Sequence, residues 1–506
     1  MISPELALPL TLVVPLIGFV AIWLLDKQPN FREAATLVTG GVLLALTISI
    51  FMAVGAGERP EAAFLEVMEG APISFRAEPL GAMFAVIASG LWVVNSLYSI
   101  GYMRGHHEKH QTRFFMCFAI AISAAIGVAY AANLFTLFVF YEVLTLSTFP
   151  LVTHKGDDKA RNGGRVYLGI LLATSIGLFL PAIVWTYAIA GTTDFTVGGL
   201  LARHVDEAGP VAGILMALYA FGIGKAALMP VHPWLPNAMV APTPVSAFLH
   251  AVAVVKAGVF SILKVAVYIF GIDFLDKTGA STPILWIAAG SIILASAIAM
   301  HKDNLKARLA YSTVSQLSYV TLGAMLATST GVMGAGLQIA AHALGKMTLF
   351  MCAGAVMVAA HKENISDMRG LGRKMPITFG AFFIGAMSII GLPPLAGSWP
   401  KFFLMLGAID AQKLWIVGVL ILSSILNVIY LLSIPVQAFY MSPETKGGKA
   451  IGAAEAELAP IDWRNLKEAP FLCVLPPVLT ALGAFLLFFF ANGLYDYLAP
   501  ILETQP

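Results

Sequence analysis

The sequence predicts an all-α, polytopic membrane protein with about fourteen spanning helices. Three observations predict it. The 506 residues are 58% hydrophobic and only 11% charged, with a mean hydropathy of +0.83. The apolar residues fall in blocks of about 20, the length a helix needs to cross a bilayer. Lysine and arginine alternate between abundant and scarce from one connecting segment to the next. A soluble domain carries about 25% charged residues, and the surface of a large soluble chain would still need them. The solvent for most of this chain is therefore lipid, where a helix satisfies its own backbone.

In chain order the apolar blocks cover residues 5–25, 35–55, 79–101, 113–130, 132–153, 165–190, 211–230, 243–270, 282–300, 306–327, 331–360, 376–410, 413–440 and 469–494. The first has Glu5 and no lysine or arginine before it, so it reads as a spanning helix rather than a cleaved leader. The seventh runs into Pro230, Pro233, Pro236, Pro242 and Pro244, five prolines in fifteen residues. Proline removes a backbone donor and clashes with the preceding turn, so helix 7 is expected to be broken. The twelfth is interrupted by the run GLPPLAG at 391–397. Residues 442–469 are polar and Gly/Ala-rich, and read as a cytoplasmic loop with a short amphipathic piece. No soluble domain interrupts the chain, so 1–506 reads as one transmembrane unit.

Counted with the block ends beside them, loops after odd-numbered blocks hold twenty of the thirty lysines and arginines, and loops after even-numbered blocks hold five. Cytoplasmic loops carry the excess of positive charge. Odd loops therefore face the cytoplasm and both termini face outward, in the inner membrane of a bacterium. A net charge of +2 gives no reason to expect nucleic acid. Cys117, Cys352 and Cys473 sit singly in apolar runs, and CxxC, P-loop, GxGxxG and HExxH patterns are missing. No cofactor and no metal site is expected.

The other five basic residues lie inside the blocks: Lys225, Lys256, Lys264, Lys346 and Lys401. Among twenty-eight acids only Glu142 is deep in a block, while Glu78 and Asp410 stand at block ends. Each such group costs at least ~2.5–3.5 kcal/mol to insert. All five bases are lysine. Arginine stays charged at any accessible pH, whereas a desolvated lysine gives up its proton readily. A row of such amines near one carboxylate reads as a proton path with electrostatically coupled steps. The bland readings are snorkelling, which is as good a reading for Lys264, and a permanent salt bridge for Glu142.

His250 and Lys256 are six apart and fall on different turns, so they bracket a path rather than form one stripe. A buried histidine can also be a simple hydrogen-bonder. His342 and Lys346 are four apart on one helix face. Lys401 follows the second proline/glycine break as Lys225 precedes the first. Paired broken segments in two halves point to inverted repeats around a midplane site. Ser312, Thr313, Ser315, Gln316 and Ser318 serve equally as water contacts or as interhelical glue.

The stretch APTPVSAFLHAVAVVKAGVF at 241–260, with LKARLAYSTVSQ at 305–316 and GLPPLAG at 391–397, resembles the signatures of the antiporter-like subunits shared by Mrp-type multisubunit Na+/H+ antiporters and respiratory complex I. The resemblance covers nearly the whole chain. It implies fourteen helices and two inverted five-helix repeats, 113–270 (helices 4–8) and 282–440 (helices 9–13). It also implies protonatable residues at mid-membrane: Glu142 paired with Lys225, then Lys256 and His250, His342 and Lys346, and Lys401 as the terminal group. Lysine at 401, where the middle antiporter-like subunit of complex I usually has glutamate, and an end soon after the fourteenth block are both closer to the D-type component of Mrp complexes.

The function expected is proton translocation by a D-like subunit of a cation/proton antiporter, a transporter without redox chemistry of its own. Its expected partners are other membrane subunits, the lipid bilayer, protons, and sodium or potassium as counter-ion. Two alternatives stay open: a proton-pumping, non-redox subunit of an NADH-quinone oxidoreductase or hydrogenase-type complex, and a purely structural membrane partner.

Overall fold

The computed structural model describes residues 3–68, 70–442, 461 and 463–502. The helices follow the apolar blocks closely. In order they are α1 (Pro4–Leu24), α2 (Pro29–Gly55), α3 (Pro79–Gly105), α4 (Gln111–Tyr130), α5 (Leu134–Val152) and α6 (Asp158–Ala190). Next come α7 (Val211–Gly222), α8 (Thr243–Phe270), α9 (Thr282–Met300), α10 (Leu305–Met325) and α11 (Ser329–Ala360). The last three are α12, in two pieces (Pro376–Ile390 and Ser398–Asp410), α13 (Leu414–Tyr440) and α14 (Phe471–Leu502).

Several helix starts are written in local chemistry. Asn133, Asp157, Asn304 and Thr328 each accept a backbone N–H three residues on, opening α5, α6, α10 and α11. Such caps satisfy donors that the first helical turn leaves free.

Eleven of these helices, among the described residues, are long and apolar enough to cross a membrane. The other three depart for identifiable reasons. Helices α7 and α12 are cut into pieces too short to span. Helix α10 has the length, but Lys306, Arg308 and its row of hydroxyls and amides lower its hydropathy. The seventh block was expected to be helical to residue 230, yet the helix ends at Gly222. Helix α8, expected to be continuous, is also interrupted. The Ala253 N–H reaches back five residues to Phe248 O, and a new helical stretch starts at Val254. No proline or glycine marks that break. Most of the expected 442–469 loop lies outside the described residues.

One element was not expected at all. Between α2 and α3, β1 (Glu61–Met68) and β2 (Ala71–Arg76) form an antiparallel hairpin. The turn uses Gly70 at φ +74, a conformation that suits glycine. Phe75 is buried and packs edge-on against Phe140 of α5, with 5.3 Å between ring centroids. Asn133 donates to Pro72 O at 2.8 Å. The hairpin thus closes one end of α4 and α5.

Helix α8 is the axis of the molecule. Residues 241–270 are all buried, and α8 packs against α3, α4, α5, α10, α11 and the Lys225 turn. Lipid-facing side chains, such as Trp23, Val38, Met52, Leu414 and Phe490, lie on the outer helices α1, α2, α13 and α14.

Candidate functional site

The breaks in α7, α8 and α12 each carry a polar group. After Gly222 the chain makes a tight turn at Gly224–Ala226 that holds Lys225, and Ala227 then adopts φ +54. Gly258 of α8 makes room for this turn. A Cβ there would fall 2.3 Å from Ala226 N and 2.4 Å from the Lys225 carbonyl carbon.

Lys225 is wholly buried against α5. Its Nζ donates to Tyr141 O at 2.8 Å and to Thr145 Oγ1 at 2.5 Å, and lies 3.1 Å from the centre of the Tyr141 ring. Its backbone N–H donates to the Tyr141 hydroxyl at 3.0 Å. No hydrogen bond or ion pair joins Glu142 to this amine among the described residues. Both Glu142 carboxylate oxygens are buried without a hydrogen-bond partner among the described residues. The direct Glu142–Lys225 pair that the resemblance implied is therefore parted in this arrangement. The amine has settled on a carbonyl and a hydroxyl instead.

Lys256 and His342 are brought together across α8 and α11, with Nζ 2.6 Å from Nδ1. An ammonium donating to Nδ1 fixes the imidazole proton on Nε2, and Nε2 is buried without a partner among the described residues. One turn on, Lys346 Nζ donates to Ser312 Oγ at 2.6 Å and Leu309 O at 3.3 Å on α10. One turn back, Gln338 donates to Gln316 Oε1 at 2.8 Å. His250 lies between the Trp234 and Phe350 rings, 6.4 Å and 5.7 Å from their centres. Neither His250 nitrogen has a partner among the described residues, so His250 is not the satisfied core histidine of the bland reading.

Lys401 opens the second piece of α12 and reaches back across the break. Its Nζ donates to Ile390 O, at the end of the first piece, at 2.6 Å, and to Ser424 Oγ of α13 at 2.9 Å. A cation at a helix C-terminus meets carbonyls that lack intrahelical donors. Gly391, at φ +88, has its Cα side filled by the Lys401 stem, since a Cβ there would fall 2.6 Å from Lys401 Cδ.

Lys264 does not snorkel. It forms an ion pair with Glu78 at 3.3 Å and donates to Ala131 O at 2.7 Å. Lys306, at the first position of the tenth block and counted with the loop charges beside it, opens α10 and donates to Ala241 O at 2.6 Å. Sequence reasoning missed Tyr141, Thr145, Ser424, Asn427 and Tyr430. Polar residues in the otherwise apolar run of α13 were the available signal for the last three.

Residues 131–427 match the family described as NADH:quinone oxidoreductase/Mrp antiporter, TM, and residues 69–115 match NADH-Ubiquinone oxidoreductase (complex I), chain 5 N-terminus. The chain belongs to the NADH:quinone oxidoreductase/Mrp antiporter family, the class of proton-translocating, antiporter-like, multi-pass membrane subunits.

It is 29% identical over 418 residues to NADH-quinone oxidoreductase subunit N of Desulforudis audaxviator, covering 81% of this chain and 80% of that one. It is 32% identical over 387 residues to hydrogenase-4 component B of Escherichia coli, covering 72% and 56%. It is 33% identical over 357 residues to NAD(P)H-quinone oxidoreductase chain 5 of Synechocystis, covering 67% and 50%. The chain thus spans most of the Desulforudis relative and about half of the other two. Two solved structures share the fold at 20% identity. A chain of the Mrp complex from Dietzia sp. DQ12-45-1b superposes with a TM-score of 0.85, covering 99% of this chain and 97% of that one. A chain of the membrane-bound sulfane sulfur reductase, an archaeal respiratory membrane complex, gives 0.83, covering 99% and 98%.

Proposed function

We propose that this chain is the proton-translocating, D-like component of a multisubunit monovalent cation/proton antiporter in a bacterial inner membrane, with both termini outward. The observation that carries this reading is the buried row from Lys225 to Lys401, joined at its middle by the Lys256–His342 contact. Buried ionisable groups that face the interior of a helix bundle mark ion pathways and proton relays.

In this reading Glu142 and Lys225 alternate between two arrangements. Paired, the carboxylate favours the charged amine. Parted, with the amine on Tyr141 O and Thr145, the proton passes by His250 and Lys256 to His342, Lys346 and Lys401. Residues 113–270 and 282–440 act as two inverted repeats, and water reaches the row at the breaks of α7, α8 and α12. Partner membrane subunits carry the sodium or potassium path.

A second reading, a proton-pumping subunit of a redox-driven complex, is favoured by the match to the Desulforudis NADH-quinone oxidoreductase chain across 80% of its length. One experiment separates them. The intact complex in sealed vesicles is given a sodium or potassium gradient without an electron donor, and proton movement is followed. Cation-driven flux that Glu142→Ala and Lys225→Ala abolish supports the antiporter. Flux only with an electron donor supports the second reading. Unchanged flux in both variants makes the chain a scaffold.

A further inference from the structure

We infer that Tyr430 is the switchable link between Lys346 and Lys401, an inference that rests on the proton-translocating reading above. Lys346 Nζ donates to Ser312 Oγ at 2.6 Å. Ser312 Oγ lies 2.9 Å from the Tyr430 hydroxyl of α13, and that hydroxyl also meets Asn427 Oδ1. Tyr430 sits in a π turn, Val428–Leu432, a feature that recurs at functional positions in helices. One turn before Asn427 on the same helix, Ser424 accepts from Lys401 Nζ at 2.9 Å. Only the step from Asn427 to Ser424 lacks a direct hydrogen bond. Beside it, Asn427 Nδ2 and Ser423 Oγ are buried without hydrogen-bond partners among the described residues, and a water between them would complete the path. A buried water with two to four polar neighbours is ordinary.

The phenol has one proton and two acceptors, Ser312 Oγ and Asn427 Oδ1. When Lys346 is charged, its N–H takes the Ser312 lone pair, the serine proton turns to Tyr430, and the phenol proton turns to Asn427. When Lys346 is neutral, its lone pair accepts the serine proton, and the phenol proton turns back to Ser312. The orientation of the Tyr430 hydroxyl therefore tracks the charge of Lys346. In the transfer, an N–H bond of Lys346 breaks as its proton bonds to Ser312 Oγ. The serine proton passes to Tyr430, and the phenol proton to a water that replaces Asn427 Oδ1 as its acceptor. That water gives a proton to Ser424 Oγ, and the Ser424 proton passes to the neutral amine of Lys401, which Ser424 already contacts. One proton moves and no hydroxyl keeps a charge.

The test is proton flux in vesicles carrying the whole complex with Tyr430→Phe, Ser312→Ala and both together, with Glu142→Ala as control. Each single change lowers flux by about tenfold or more while assembly is unchanged. The double variant is no slower than the slower single, because groups that act as one unit are not additive. Additive losses reveal a merely structural role and overturn the inference. Wild-type flux in Tyr430→Phe, with Glu142→Ala inactive, also overturns it and leaves the antiporter reading standing. Flux that survives Glu142→Ala removes the underlying reading instead. If Tyr430→Phe does not assemble, wild-type flux in Ser312→Ala overturns the link from its other end.

Discussion

The Lys256 amine lies 2.6 Å from Nδ1 of His342, and this contact joins α8 to α11 at the centre of the protein. Neither side chain has an acidic partner in contact among the described residues, and both are buried. A contact made only to clamp two helices works equally well with its charge fixed. A contact made to pass a proton needs one that comes and goes.

Lys256→Arg separates these roles. Arginine keeps the positive charge and cannot give up its proton. The expected outcome is a complex that assembles normally and whose proton flux falls by about 10²-fold. Flux measured in vesicles at the wild-type rate would count against a relay at this position.

The Lys264–Glu78 pair is predicted to be structural. Removing one partner of a buried pair leaves an uncompensated charge and costs about 3–5 kcal/mol, whereas replacing both is often nearly neutral. Glu78→Gln should therefore lower thermal stability in detergent, and the double variant Glu78→Gln/Lys264→Met should recover most of the loss. A double variant no more stable than the single one would refute this account.

Gly258→Ala should act on Lys225 without touching its side chain. The added methyl group meets the backbone of Lys225 and Ala226, where neither can yield without moving the turn. Overpacking of this kind costs about 1–3 kcal/mol. A lower melting temperature together with reduced flux is expected. Unchanged values of both would show that the turn shifts freely.

His154, just beyond the end of α5, supplies a pH-dependent stability. Burial, helped by the neighbouring Arg113 charge, brings it down from 6.5 to about 4. Its Nε2 meets Lys109 O at 2.9 Å. Between those two values the unfolded chain binds more protons than the folded one. Stability is therefore full above about pH 6.5 and falls as pH drops toward about 4, by at most about 3 kcal/mol. Melting temperatures of wild type and His154→Asn across this range check it, since the variant should lack that part of the slope.

Most of the helical framework was legible because the bilayer fixes the length of an apolar block, and twelve of the fourteen blocks end within several residues of the observed helices. The seventh did not, because its last residues stay apolar after the helix has stopped, and the fourteenth helix runs on to Leu502 through residues more polar than its block. The hairpin was invisible for a different reason. Strands of eight and six residues, the first almost wholly exposed, leave no apolar block. The break in α8 left no trace because neither proline nor glycine makes it. Within the site, Lys225, Lys256, Lys346 and Lys401 stood out because an amine in an apolar run is costly. Of their acceptors only Ser312 was singled out, in the polar run of α10. Thr145 and Ser424 are ordinary residues of apolar helices, and only the fold brings all three within 3 Å of an amine.

Because α8 touches no lipid, a change of bilayer thickness reaches it only through other helices. Mismatch between apolar length and membrane is met by tilt and local strain in the helices at the rim. Here those include α1, α2, α5, α6, α13 and α14, each with exposed apolar side chains. Four of them carry none of the groups in the buried row, while α5 carries Tyr141, Glu142 and Thr145 and α13 carries Ser424, Asn427 and Tyr430. Both ends of the row, at Lys225 and at Lys401, are therefore open to the mechanical state of the membrane, and Lys256 on α8 is insulated from it.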